Sequence, residues 1–93
     1  MHIALLTLHL RINSSTSLKD KRRVLRSLLD RTKARFNVSV AEVDAADHLQ
    51  IAVVAVVCVG SDARVVQGIL ESVAHLWETH SEAEVTRHQI DVL

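Results

Sequence analysis

Ninety-three residues with two glycines, no proline and 48% hydrophobic side chains make one domain of continuous regular structure, with no stretch suited to a linker or a disordered tail. A chain this short buries somewhat over ~60% of its unfolded surface, enough for one core but too little for a deep active-site cavity with supporting shells. Eleven basic and eleven acidic side chains cancel to zero net charge, but the two signs are sharply divided along the chain.

Residues 2–12 alternate, with Ala4, Leu6, Leu8, Leu10 and Ile12 on one face. Period two predicts a strand that buries this face. The polar run Asn13-Ser14-Ser15-Thr16-Ser17 breaks it. Ser17-Leu18-Lys19-Asp20 then has a helix start, a hydroxyl cap followed three residues later by a carboxylate. Leu18, Val24, Leu25, Leu28, Leu29, Thr32 and Phe36 form one stripe at ~100° per residue, which predicts an amphipathic helix to about Arg35. Residues 36–43 turn into a short alternating strand, and 44–47 form a loop.

Leu49 to Val59 is β-branched and apolar on both faces, the pattern of a central strand. The lone Cys58 lies within it, better suited to a small core residue than to a reactive thiolate. Gly60-Ser61-Asp62 is a turn ending in a cap. Val65, Val66, Ile69, Leu70, Val73, Leu76 and Trp77 make a second amphipathic helix to about His80, and Val85 to Val92 is a final strand of mixed pattern.

The order strand, helix, strand, strand, helix, strand predicts an α+β, ferredoxin-like βαββαβ domain spanning residues 1–93. It consists of two right-handed βαβ crossovers joined by a hairpin, with a four-stranded antiparallel sheet and both helices on one face. The first and third strands are then central, and the other sheet face is open. The first strand offers Ile3 and Leu5 there. The third offers either Val53, Ala55 and Val57 or Ala52, Val54 and Val56, because both its faces are apolar. An apolar centre on an open sheet is a partner surface, and Ile3, Leu5, Val53 and Val54 are its candidate contacts. Homodimerisation is the economical expectation.

Nine of the eleven basic residues fall within 11–35, against only Asp20 and Asp30. Lys19, Arg22, Arg26 and Lys33 cluster on a quarter of the first helix's circumference, with Arg23 beside them. Lys21 lies near the apolar stripe, its stem packing while its ammonium reaches the edge. A helix N-terminus, the hydroxyl of Ser17 and these cations form a phosphate-binding corner. The candidate anion- or RNA-binding set is therefore Ser17, Lys19, Lys21, Arg22, Arg23, Arg26 and Lys33. The bland reading is a solvated helix face, with Asp30 pairing to Arg26 or Lys33.

Several function classes find no support. Tyrosine is absent, Phe36 and Trp77 are single, and the open face carries no aromatics on which bases would stack. There is no Gly-x-x-Gly loop and no glycine-rich phosphate loop. No nucleophile-and-base constellation is present, so no catalytic residue is expected. Of six histidines, only His9 and His88 are candidates for a neighbouring pair, and no metal or other cofactor is expected. The lone cysteine excludes an internal disulfide, the longest apolar run is too short to span a bilayer, and no signal-peptide pattern opens the chain. These features predict a cytoplasmic protein with no membrane partner.

Ser17-Leu18-Lys19-Asp20-Lys21-Arg22-Arg23-Val24-Leu25, followed by Arg35-Phe36-Asn37-Val38-Ser39-Val40-Ala41-Glu42, resembles the YlxP-like family of small bacterial proteins, domain of unknown function 503. The resemblance covers essentially the whole chain. It implies a ferredoxin-like fold, and its gene neighbourhoods imply a role near the small ribosomal subunit or its RNA. It implies no catalytic residue. Many relatives carry an aromatic residue before the third strand, where this chain has Asp47-His48-Leu49-Gln50. The expectation is a non-enzymatic accessory protein that docks its basic helix on structured RNA, with ribosomal RNA the candidate that the resemblance implies. The alternative is a homodimeric protein–protein module with no nucleic-acid partner.

Overall fold

A computed structural model describes residues 1–93. Its elements are β1 (His2–Arg11), α1 (Leu18–Arg35), β2 (Ser39–Asp44), β3 (Ile51–Gly60), α2 (Ala63–Glu78) and β4 (Glu84–Val92). The strands form one antiparallel sheet in the order β2-β3-β1-β4. Each βαβ crossover skips one strand, so the chain has the ferredoxin-like α+β fold predicted for it.

The alternating register decides which side chains meet the helices. Ala4, Leu6, Leu8 and Leu10 lie opposite Cys58, Val56, Val54 and Ala52, and all eight are buried in one apolar cluster. The stripes of both helices close over them, through Val24, Leu25 and Leu28 from α1 and Val66, Leu70, Val73 and Trp77 from α2. This settles the ambiguity of β3. Ala52, Val54 and Val56 face the helices, and Val53, Ala55 and Val57 face outward. Val54 is fully buried, so its place in the candidate sheet-face set is corrected: it is a core residue.

Local chemistry accounts for the boundaries. Asp20 donates its backbone N–H to the Ser17 hydroxyl at 3.1 Å, and the Asp20 carboxylate accepts the N–H and hydroxyl of Thr16. This reciprocal arrangement satisfies N–H groups that an α-helix start leaves unpaired. β3 begins at Ile51 rather than Leu49 because the hairpin turn occupies the preceding residues. His48 Nδ1 accepts the N–H groups of both Gln50 and Ile51, and Ala45 adopts a left-handed φ of 58°. α2 stops at Glu78 because Thr79 caps it, its hydroxyl donating to the carbonyls of His75 and Leu76.

β4 reads as mixed in sequence because it contains a bulge. Its register against β1 shifts between His9 and Leu10, so that Val85 opposes Leu10 and Arg87 opposes His9. Thr86 is the extra residue, and its hydroxyl donates to the His9 carbonyl at 3.2 Å. Gly60 lets the β3–α2 turn approach closely, since a Cβ there would lie 2.8 Å from Val66 Cγ2. Gly68 has no such role. A Cβ there would meet nothing within 4 Å, so close packing does not explain this glycine.

Candidate functional site on the outer face of the first helix

The 3.6-residue period of α1 divides its cations into groups with different duties. Lys19, Arg22, Arg26 and Lys33 recur at spacings of three, four and seven, and all are exposed. From first to last they span about 21 Å of helix axis. No carboxylate lies within 4.0 Å of any of them, since the ion pairs of the protein are Lys21–Glu42, Arg23–Glu82 and His88–Glu78. The expected pairing of Asp30 with Arg26 or Lys33 is therefore not formed. Lys19, Arg22, Arg23, Arg26, Ser27 and Asp30 instead line a shallow open groove along the helix.

Arg23 is partly committed. Its guanidinium donates to Glu82 Oε2 at 2.9 Å. The hydrogen bond and the charge of Arg23 hold the Glu82 carboxyl below the usual range, and Glu82 raises Arg23 in return. Both side chains face solvent, so the tie is weak. The helix start is committed too. The Ser17 hydroxyl caps Asp20, and the Asp20 carboxyl is held low chiefly by the Thr16 hydroxyl and N–H. An incoming phosphate would meet a carboxylate already seated there, so the expected phosphate corner at Ser17 is corrected to an internal cap.

Lys21 departs furthest from its expected place. Its side chain is only 1% exposed. Nζ donates to the Ala45 carbonyl at 2.6 Å and lies 3.0 Å from Glu42 Oε2. The second contact is out of line for a directed hydrogen bond, so it is a charge contact. Lys21 therefore points inward and ties α1 to the β2–β3 hairpin, and it leaves the anion-binding set. Glu42 of β2 is its counterion.

A family model described as "Protein of unknown function (DUF503)" matches residues 3–90. The chain belongs to this family. Among curated proteins no relative matches. Among solved structures the chain is similar to the de novo designed protein Foldit4, over 100% of this chain and 97% of that one, at 12% identity and a TM-score of 0.55. At that identity the likeness concerns the fold alone.

The DUF503-like stretch 17–22 thus splits by role in this chain. Ser17 and Asp20 build the cap, Lys21 locks the hairpin, and Lys19 and Arg22 remain free at the surface. The histidine pair considered from sequence does not form. His9 opposes Arg87, His88 opposes Leu8, and the two imidazoles lie on opposite faces of the sheet. His88 instead sits 3.0 Å from Glu78 of α2. Of the proposed sheet-face residues, Ile3, Leu5 and Val53 do share the open face and are partly exposed. Val57 and Val59, 39% and 63% exposed, belong with them. No helix is long and apolar enough to cross a membrane.

Sequence reasoning missed two buried polar ties. One is Lys21 to the hairpin, and the other is the Trp77 indole N–H donating to Thr32 Oγ1 at 2.9 Å. The first had a signal, because Lys21 precedes Val24 and Leu25 by three and four residues and so shares the buried stripe.

Proposed function

We propose that this protein is a non-enzymatic accessory protein of the cytoplasm that docks the outer face of α1 on structured RNA, with ribosomal RNA the foremost candidate. The observation that carries this reading is the row Lys19, Arg22, Arg26 and Lys33, exposed and without ion-pair partners. Four free cations on a rigid helix present fixed positive charge to a phosphate backbone, releasing counterions on contact. Arg23 joins them at the cost of a solvent-exposed tie to Glu82. The open sheet lacks stacking aromatics, so recognition would run through phosphates and RNA shape rather than base identity. The link to ribosomal RNA rests on the gene neighbourhoods of the family, and the cytoplasmic location on a single buried thiol that needs no oxidising compartment.

Titration with purified small ribosomal subunits and with an unrelated structured RNA, each across a salt series, tests this. The expected result is salt-sensitive binding that prefers the subunit. Replacing Lys19, Arg22 and Arg26 together by Gln should weaken binding on all RNAs and reduce the log–log salt slope by about 3. Arg64→Gln, outside α1, should leave it unchanged. Retained affinity in the triple variant would sink the reading.

A second reading, a homodimeric module with no nucleic-acid partner, is favoured by the apolar rows on the open sheet face. The two readings separate cleanly, because α1 and the open face lie on opposite sides of the sheet. In the second, RNA binding is absent and oligomerisation ignores the α1 substitutions.

A further inference from the structure

The open face is ordered in rows that cross the sheet. The middle row is Gln89, Thr7, Ala55 and Ala41. On one side of it lies the row Asp91, Leu5, Val57 and Ser39, and on the other the row Arg87, His9, Val53 and Asp44. Beyond these, Val59 opposes Ile3 at one end and Ile51 opposes Arg11 at the other. Along β4 the polar side chains are joined in line. Arg87 donates to Gln89 Oε1 at 3.2 Å, and Gln89 Nε2 donates to the Asp91 carboxylate at 3.0 and 3.1 Å. The face thus has an apolar strip on β3, small side chains at its middle, and a ladder on β4 that is positive at one end and negative at the other.

We infer that this face binds a second copy of the same chain, about a two-fold axis running along the row Gln89–Thr7–Ala55–Ala41. This deepens the homodimer reading by naming its symmetry and contacts, and it does not rest on the RNA reading. A face-to-face two-fold dimer has its axis in the plane between the sheets, across the strands or along them. Across the strands, β4 stacks antiparallel on β4 of the other copy. Arg87 then meets the copy's Asp91 twice over, Val57 meets Val53, Val59 meets Ile51, and Ala55 meets Ala55. Along the strands, the ladder would stack on β2 of the other copy, where Arg87 would meet Asp44 but Asp91 would fall on Ser39 and stay without a countercharge, and the apolar strip would lie over β1. Charge complementarity selects the first arrangement, and self-complementarity of one patch is what a two-fold interface requires.

The dimensions suit it. Four strands about 4.8 Å apart and about 33 Å long give a flat footprint of about 600 Å². A corrugated side-chain surface exposes more than its projection, which brings the area towards the roughly 800 Å² per partner of a standard interface. Thr7, Ala55 and Ala41, small side chains along the axis, permit the sheets to close to about 10 Å, and the reach of Arg87 absorbs the ~30° rotation of aligned sheets. The product is a four-layer sandwich with both α1 helices on its outer faces, facing away from one another.

Sedimentation velocity across a concentration series, with a charge-swap set, tests this. The native chain should be dimeric at on the order of 100 μM. Asp91→Arg places two arginines against each other on both sides of the axis at its β4 end, and Arg87→Asp places two aspartates there. Each should raise the dissociation constant at least about tenfold. Mixed together, the two variants restore both Arg–Asp contacts, so a heterodimer should form where neither variant dimerises alone. That recovery cannot come from misfolding. Val57→Glu, at a site already half open to water, should also give a monomer of unchanged circular dichroism. A monomeric native chain at that concentration, or a dimer indifferent to the swaps, overturns the assignment.

Discussion

The two helices cover the same sheet face, yet they are attached to it in different ways. α2 lies against β1, β3 and β4, its backbone close to the central strands. It is held mainly by apolar packing, with Val66, Leu70, Val73 and Trp77 all at or near full burial, and its polar contact with the sheet, Glu78 to His88 of β4, lies at the exposed surface. The α1 backbone approaches only β2 and α2 this closely. It too contributes Val24, Leu25 and Leu28 to the core, but it adds three polar ties: Lys21 to the hairpin, Thr32 to Trp77, and Arg23 to Glu82. Apolar packing is not directional and leaves a helix some freedom to slide, whereas a buried polar contact is costly to break and so sets position. The helix whose outer face carries the free cations is the one so fixed, which is what a docking surface of defined geometry requires.

The largest effect should come from the buried tie. Lys21→Met keeps most of the packed stem but removes the ammonium. It leaves Glu42 beside the core without its counterion and the Ala45 carbonyl without its donor. Breaking a buried pair from one side costs 3–5 kcal/mol. Glu42 retains some contact with water, so about 2–3 kcal/mol is expected. Lys19→Met, two residues earlier and exposed, should change stability by less than about 0.5 kcal/mol. Urea denaturation of the two variants makes the comparison within one motif. Equal losses would show that Lys21 is no more anchored than Lys19.

This contrast also marks how far the sequence can be read. The elements were legible because their signals are local. Ser17 and Asp20 announce α1, alternation from Ala4 to Ile12 announces β1, and Asp62 announces α2. The Lys21 contacts lie 21 and 24 residues away and the Thr32–Trp77 bond spans 45, so no periodicity encodes them. β3 was ambiguous for another reason. With apolar side chains on both faces, period two carries no phase, and only pairing with β1 tells Val53 from Val54. The bulge at Thr86 shifts the phase of β4 midway and hides its pattern in the same way.

The tie between the helices should come next in size. Thr32 and Trp77 are both fully buried. Thr32 Oγ1 accepts the indole N–H and donates to the Leu28 carbonyl at 2.7 Å. Thr32→Val keeps the shape and leaves the indole N–H unpaired, at a cost of about 1–2 kcal/mol. In a Trp77→Phe background there is no indole to strand, so the same substitution should cost less than half as much. Circular dichroism, which does not depend on the sole tryptophan, follows both. Equal costs in the two backgrounds would remove the bond from the account of how α1 is placed.

The surface tie should give the smallest effect, and it has a sign in pH. The carboxyl of Glu82 is lowered from 4.5 by Arg23 and that of Asp20 from 3.8 by Thr16. The folded state therefore binds these two protons less readily than the unfolded chain does. Their contribution is fully present above the ordinary carboxylate values and is lost as pH falls below them, through the folded-state values. Both groups are exposed, so the loss should be shallow, and salt should screen the Arg23–Glu82 part. Glu82→Gln should flatten the acid limb of a stability–pH profile and remove some of its salt dependence, whereas Asp20→Asn should flatten it with a smaller change in the salt term, because hydrogen bonds from Thr16 outweigh the charge of Arg23 there. A profile that Glu82→Gln leaves unchanged would mean that Arg23 is as free as Lys19 and Arg22, and that the cationic row on α1 is one member longer.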